Sequence, residues 1–255
     1  KYLDLESSIV EKFPDCDVFV SFSSRMVIKL LKKKKNEEYK NLPQTLADID
    51  MLGYKHVSVV SINIFPTDEH EVLKKIVDGF KHFSLANISC TNALLTKTKE
   101  TTAFLKDLNE QISKDDTANL YVIHGTPKLD TVGIDSINYT SSFLELISEN
   151  NFTCSLEGAF PYFEINDVIK SRIEKLGLKK VQVVPLLLVS GNHYIEDMFE
   201  IKDDLSDKFE SFIVPSLTKS EKFNLIELPM IQNIIEKNIQ NTFKMMGISH
   251  KEITY

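Results

Sequence analysis

A chain of 255 residues has room for one large domain or two smaller ones. With 42% hydrophobic and 26% charged residues, the composition is that of a folded globular protein and excludes a disordered one. The formal charge of −7 excludes a general nucleic-acid binder, which needs a basic face, and no apolar run approaches the roughly 20 residues of a membrane span.

Short β-rich runs alternate with helical periodicities along the chain. Residues 1–13 read as the end of a helix, followed by a strand at 17–22 and a helix at 23–34 with Ser23 or Ser24 as its N-cap. Met26, Val27, Leu30 and Leu31 form that helix's apolar stripe, and the four lysines 32–35, with Glu37 and Glu38 behind them, form a solvated exit. Helices at 45–52, 69–80 and 97–112 separate strands at 56–64 and 85–94. Strands at 119–123, 153–157, 182–188 and 209–214 then alternate with helices at 135–149 and 163–176, and an amphipathic helix at 228–246 closes the sheet. Val181 to Val189 is nearly continuously apolar, as in a strand buried on both faces. Gly53 and Gly177 sit where C-terminal helix caps are expected. This alternation predicts an α/β protein of parallel sheets flanked by helices.

An internal repeat sharpens the expectation. LGYKHVSVV at 52–60 matches LGLKKVQVV at 176–184, an offset of 124 residues. We expect two similar α/β halves, 1–115 and 116–255, with a cleft between them. The second half opens with a strand and a His124-Gly125-Thr126 turn that the first half does not show. A strand and most of a helix are therefore expected ahead of residue 1, and an export signal there is left open. Three widely spaced cysteines without CxxC spacing argue against a thiolate metal cluster and for reduced thiols, hence a cytoplasmic location.

Three stretches of the second half carry candidate chemistry: YVIHGT at 121–126, SLEGAFP at 155–161 and PLLLVSGNHYIEDM at 185–198. Each reads as a strand running into a turn, with His124, Glu157 or His193 at or near its carboxyl end, where ligands of open α/β sheets bind. Singly, each residue has a plain structural reading, and Glu196 and Asp197 suit a helix N-terminus by charge alone. Together, two imidazoles and a carboxylate make a divalent-metal site for Co²⁺, Ni²⁺, Fe²⁺ or Zn²⁺. HExxH, P-loop, GxGxxG and GxSxG motifs are absent, which removes the corresponding protease, nucleotide and hydrolase chemistries in their motif-bearing forms. Phosphate transfer from His124 would want more cations than the one nearby lysine, Lys128.

The motifs His124-Gly125-Thr126, Leu156-Glu157-Gly158 with Pro161, and Gly191-Asn192-His193 followed by Asp197-Met198 resemble the class II tetrapyrrole chelatases, most of all the anaerobic sirohydrochlorin cobalt chelatase type. Ser24 to Lys29 is similar to that family's second strand–helix junction, and the spacing holds from about Phe13 to Gln240. The resemblance implies two flavodoxin-like halves enclosing a tetrapyrrole, sirohydrochlorin or precorrin-2, and insertion of Co²⁺ (Ni²⁺ or Fe²⁺ as alternatives) without a nucleotide, as in cobalamin biosynthesis. It implies that His124, Glu157 and His193 hold the metal and act in catalysis. Ser24, Arg25, Gly125 and Phe160 are the expected substrate contacts, with Phe22 and Phe65 as further stacking candidates. Asn192, Tyr194 and the 61–66 segment around Asn63 depart from the family's pattern. A non-catalytic tetrapyrrole or metal carrier on the same fold is the alternative. Nucleic acid and membrane are not expected partners, and self-association into a homo-oligomer is left open.

Overall fold

The repeat read in the sequence recurs in the hydrogen bonds of the backbone. The computed structural model describes residues 2–35, 38–189, 191 and 196–248. They divide into two units: Lys1–Asn63, Asp68–Ala93 and Asn233–Tyr255 in the first, Ile64–Thr67 and Leu94–Gln232 in the second.

The first unit carries α1 (Tyr2–Lys12), α2 (Arg25–Lys35), α3 (Leu42–Leu52), β1 (His56–Val59), α4 (Asp68–Lys81) and β2 (Asn87–Cys90). β1 and β2 form a parallel pair, with the Asn87 and Thr91 N–H groups donating to the Lys55 and Val59 carbonyls at 2.8 and 2.9 Å. Leu46, Ile49, Val57, Val59, Val77 and Ile88 form the core beneath them. α3 starts three residues before the expected Thr45, because Asn41 and Gln44 make a reciprocal capping box. It ends where expected, with Gly53 at φ 77°.

The strand expectations are only partly met in this unit, and the helix expected at 23–34 is present but exposed. Residues 17–22 form no strand: their pairing among the described residues is one bridge, Ser21 to Lys40. An extended segment without a ladder partner leaves its backbone groups to solvent. Helix α2 is present, capped by the Ser24 hydroxyl accepting from Val27 N–H at 3.3 Å, yet its stripe is not buried. Met26 is 80% exposed, and Val27 and Leu30 are also exposed. Strands 56–64 and 85–94 shorten to four residues each.

The second unit carries α5 (Thr98–Ile112), β3 (Thr117–Gly125), α6 (Ile134–Ile147), β4 (Asn151–Glu157), α7 (Tyr162–Lys175), β5 (Lys180–Leu186), α8 (Asp197–Leu205) and β6 (Glu210–Ile213). Its strands are all parallel in the order β4-β3-β5-β6. β5 repeats β1: Glu210 and Val214 N–H donate to the Lys179 and Val183 carbonyls, both at 2.9 Å, as Asn87 and Thr91 do to Lys55 and Val59. A final helix, α9 (Pro229–Met245), begins in this unit and from Asn233 is grouped with the first. Among the described residues no helix is long and apolar enough to cross a membrane.

Ala118, Leu120 and Val122 of β3 pack with Phe152, Val181 and Val183 and, from α7 and α8, Ile169, Ile173, Met198 and Ile201. Full burial of each such side chain is worth about 1.5–3 kcal/mol. A polar ladder crosses the amino-terminal ends of three strands. Gln182 donates to the Asn119 side-chain oxygen at 2.5 Å and Asn119 to that of Asn151 at 2.7 Å. Asn151 and Gln182 also donate to Asn109 and to the Ile112 carbonyl of α5, both at 2.8 Å. A one-residue slip of any strand would leave these buried amides unpaired, so the ladder fixes the register that places the opposite, carboxyl ends. It also explains why α5, which the repeat assigns to residues 1–115, is grouped with the second sheet.

Candidate metal and substrate site

β3 and β4 are neighbours, with Ile123 opposite Ser155 and Gly125 opposite Glu157. Their carboxyl ends therefore emerge side by side. His124 Nδ1 lies 3.5 Å from Glu157 Oε1, and both side chains are about half exposed. Two donors each about 2.0–2.1 Å from a tetrahedral ion are about 3.4 Å apart, so this pair is spaced to share one.

Two glycines make that spacing possible. Gly125 has φ 82°, and a Cβ there would lie 1.9 Å from the Glu157 carbonyl oxygen. Gly158 has φ 84°, and a Cβ there would lie 1.8 Å from the Thr126 carbonyl oxygen. Each turn occupies the space a side chain would need in the other. The sequence marks Gly125 as a place where a ligand approaches the backbone; the approaching group is the Glu157 carbonyl.

The 155–161 turn is held from within. Ser155 N–H donates to the Phe160 carbonyl at 3.0 Å and Ser155 Oγ to the Ala159 carbonyl at 2.7 Å. Phe160 adopts φ 56°, a left-handed conformation that disfavours side chains, and the residue is 70% exposed. Phe65 is buried, and Phe22 packs edge-on against Tyr2 and Tyr39 at 5.7 and 4.8 Å, so neither offers a comparable face. Ser155 holds the 155–161 turn, a role sequence reasoning missed, and Thr126 of the quoted motif donates to Thr131 Oγ1 at 3.2 Å. A small hydroxyl two residues before Glu157, followed by Gly158, was the available signal. Cys154 is fully packed in the core, and burial pushes its thiol's pKa strongly up, which withholds a soft ligand from the site.

Beyond β5, the carbonyls of Leu187 and Leu188 accept from Leu225 and Ile226 N–H at 3.4 and 3.1 Å, anchoring the strand that leads towards His193. His193, Asn192 and Tyr194 lie outside the described residues. Among the described residues no group of three or more His, Cys, Asp or Glu is placed to hold a metal ion. Ser24 and Arg25 sit at the start of α2 in the first unit, where Arg25 is exposed, and Asn63 is half-buried in the segment after β1.

Parallel sheets flanked by helices, with an imidazole–carboxylate pair at adjacent strand ends, define an α/β protein with a candidate ligand site there, and the comparisons with known proteins give its kind. The family Cobalt chelatase (CbiK) matches residues 1–244. A curated relative, the sirohydrochlorin cobaltochelatase of Salmonella typhimurium, is 22% identical over 197 residues, covering 76% of this chain and 71% of its own. Among solved structures, SirB from Bacillus subtilis with Fe³⁺ superposes with a TM-score of 0.62 at 15% identity, over 95% of this chain and 90% of SirB. The sirohydrochlorin chelatase SirB from Bacillus subtilis subspecies spizizenii, in complex with cobalt, gives 0.53 at 12% identity, over 87% and 88%. These structural likenesses show the fold. The chain belongs to the cobalt chelatase (CbiK) family. Its enzyme class is accordingly metal chelatase, a lyase.

Proposed function

We propose that this chain inserts Co²⁺ into sirohydrochlorin without a nucleotide, with His124, Glu157 and His193 holding the incoming ion. The 3.5 Å separation of His124 Nδ1 and Glu157 Oε1 carries the reading. The Salmonella typhimurium relative named for this activity supports the choice of metal and macrocycle.

Insertion exchanges two pyrrole N–H protons for one divalent cation. The ion needs a site with vacant positions, so that ring nitrogens replace water and then the protein's donors. A mixed imidazole–carboxylate set binds firmly enough to position the ion and lets it leave more readily than thiolates would. Once the ion has passed to the ring, the imidazole of His124 or His193 can take the displaced protons and return them to solvent. Phe160 would stack on the macrocycle, and Arg25, with the Ser24 junction, would meet one of its carboxylates. The three free thiols suit the reducing cytoplasm as the place of reaction.

Anaerobic absorbance with sirohydrochlorin and Co²⁺ tests this. The chain should convert the free macrocycle to its cobalt complex faster than the protein-free control, and Glu157→Gln and His193→Ala should lose the acceleration. Tight macrocycle binding without acceleration would overturn the proposal in favour of a carrier. Faster conversion with Ni²⁺ or Fe²⁺ than with Co²⁺ would overturn the choice of metal.

A further inference from the structure

We infer that α2 is a selectivity surface for polycarboxylated tetrapyrroles, meeting the macrocycle's carboxylates with Lys29 and Lys33 and its flat apolar face with Met26 and Leu30. The class of ligand rests on the proposed function. The surface itself rests on the place, pattern and exposure of the helix.

Both units close a turn with one parallel bridge from a serine. Ser155 bridges to Pro161, just ahead of α7, and Ser21 to Lys40, just ahead of α3. The repeat, 52–60 and 176–184, runs on from the ends of α3 and α7, so the two turns are counterparts. In the second unit the bridge encloses residues 156–160, with Glu157 and Phe160 among them. In the first it encloses residues 22–39, and α2 lies within that longer excursion. The helix is thus an insertion where the other unit presents its candidate site, at the kind of place where α/β proteins take ligands.

α2 reads RMVIKLLKKKK, with six cations and no anion, in a chain of net charge −7. At four-residue spacing Arg25, Lys29 and Lys33 form one row along the helix, and Met26 and Leu30 form the row beside it. The cation row spans about 12 Å at about 1.5 Å per residue, enough to meet several carboxylates of one ligand. A cation row beside an apolar ridge suits a molecule that is apolar on its face and anionic at its edge.

The five side chains are all exposed, whereas Ile28 and Leu31, on the far side of the helix, are half-buried. Among the described residues Arg25, Lys29 and Lys33 have no ion pair or side-chain hydrogen bond, while Lys32 pairs with Glu38 at 2.6 Å. Like charges four residues apart on a helix repel. An anionic ligand relieves that repulsion, and a ligand with more carboxylates relieves more of it.

The test titrates the 255-residue chain, without metal, with uroporphyrin and with coproporphyrin, which carries half as many carboxylates. The parent chain should bind uroporphyrin about tenfold more tightly, with an affinity that falls as salt rises. Combined Lys29→Gln and Lys33→Gln, at exposed positions and with an unchanged circular dichroism spectrum, should erase the preference and flatten the salt dependence. Met26→Ser should weaken both porphyrins alike and keep the preference. Equal affinities in the parent, or a preference that survives the double substitution, would overturn the inference. So would lysine-dependent binding to phosphatidylglycerol vesicles tighter than to either porphyrin, which would make α2 a lipid-facing helix. Selective binding without accelerated insertion would sink the chelatase reading alone, and accelerated insertion with unselective binding would sink this inference alone.

Discussion

The two units repeat one backbone and put different things at its strand ends. In the second, His124 and Glu157 stand half-exposed 3.5 Å apart. In the first, the turn after β1 buries Ser61, whose N–H donates to Thr91 Oγ1 at 2.8 Å and whose hydroxyl meets His70 Nδ1 at 2.9 Å. Burial, the largest influence, pulls the His70 pKa down, followed by the charge of Lys74, with Glu71 opposing. The same residue type thus serves packing in one unit and, under the proposed function, ion handling in the other. Solvent access decides the difference: a neutral, hydrogen-bonded imidazole stabilises a turn, and an accessible one beside a carboxylate can receive a cation.

The sharpest way to break this contrast is to exchange the losses. His124→Ala or Glu157→Gln should reduce the metal-insertion rate roughly 10²–10⁴-fold while leaving the unfolding free energy from urea titration within about 0.5 kcal/mol of the parent. His70→Asn should do the reverse, keeping the rate and costing about 1–3 kcal/mol in the same urea titration. Equal loss of activity from His70→Asn would erase the distinction.

Next come the glycines. Gly125→Ala drives a methyl into the Glu157 carbonyl, so we expect a loss above about 3 kcal/mol by chemical denaturation, together with weaker metal binding by isothermal titration calorimetry. Gly53→Ala has the same sign of φ and no atom within 4 Å of the new Cβ, so its cost should stay near 1–2 kcal/mol. The valine pairs sharpen the comparison further. Val181→Ala should cost about 2–3 kcal/mol and Val57→Ala about 1 kcal/mol less, measured by denaturant midpoint.

The smallest effect is in pH. Because the His70 pKa lies below its unfolded value of 6.5, the folded state holds fewer protons on that ring between the two values. Its contribution is full above pH 6.5 and declines as pH falls through the folded pKa. A plot of unfolding free energy against pH should fall less steeply on the acid side of 6.5 in His70→Asn than in the parent chain.

Motif by motif, the sequence made the chemistry more legible than the packing. The fold class followed from alternation and from the repeat, both of which depend on local pattern. His124 and Glu157 were legible because strand, ionisable residue and glycine fall in one order at two places. The reason for Gly125 was not, because the Glu157 carbonyl that excludes a side chain there comes from 32 residues further on. The stripe of α2 obeys helical spacing, yet periodicity says which residues share a face and nothing about whether another element covers it. Residues 17–22 have strand composition without a ladder, since pairing is a property of two segments. The start of α3 was in plain view as Asn41 and Gln44, three residues apart, and only the apolar pattern was read there.

The reciprocal fit of Gly125 and Gly158 has an engineering consequence. Because each turn is wedged by the other's carbonyl, the main-chain separation at positions 124 and 157 is set by the two glycines, and the side chains set the donor spacing on that base. Donor identity and reach can then be varied on a main-chain frame held constant. Replacing Glu157 by Asp or His124 by Asn would probe ion preference through donor chemistry and reach, on a frame that the two glycines set beforehand.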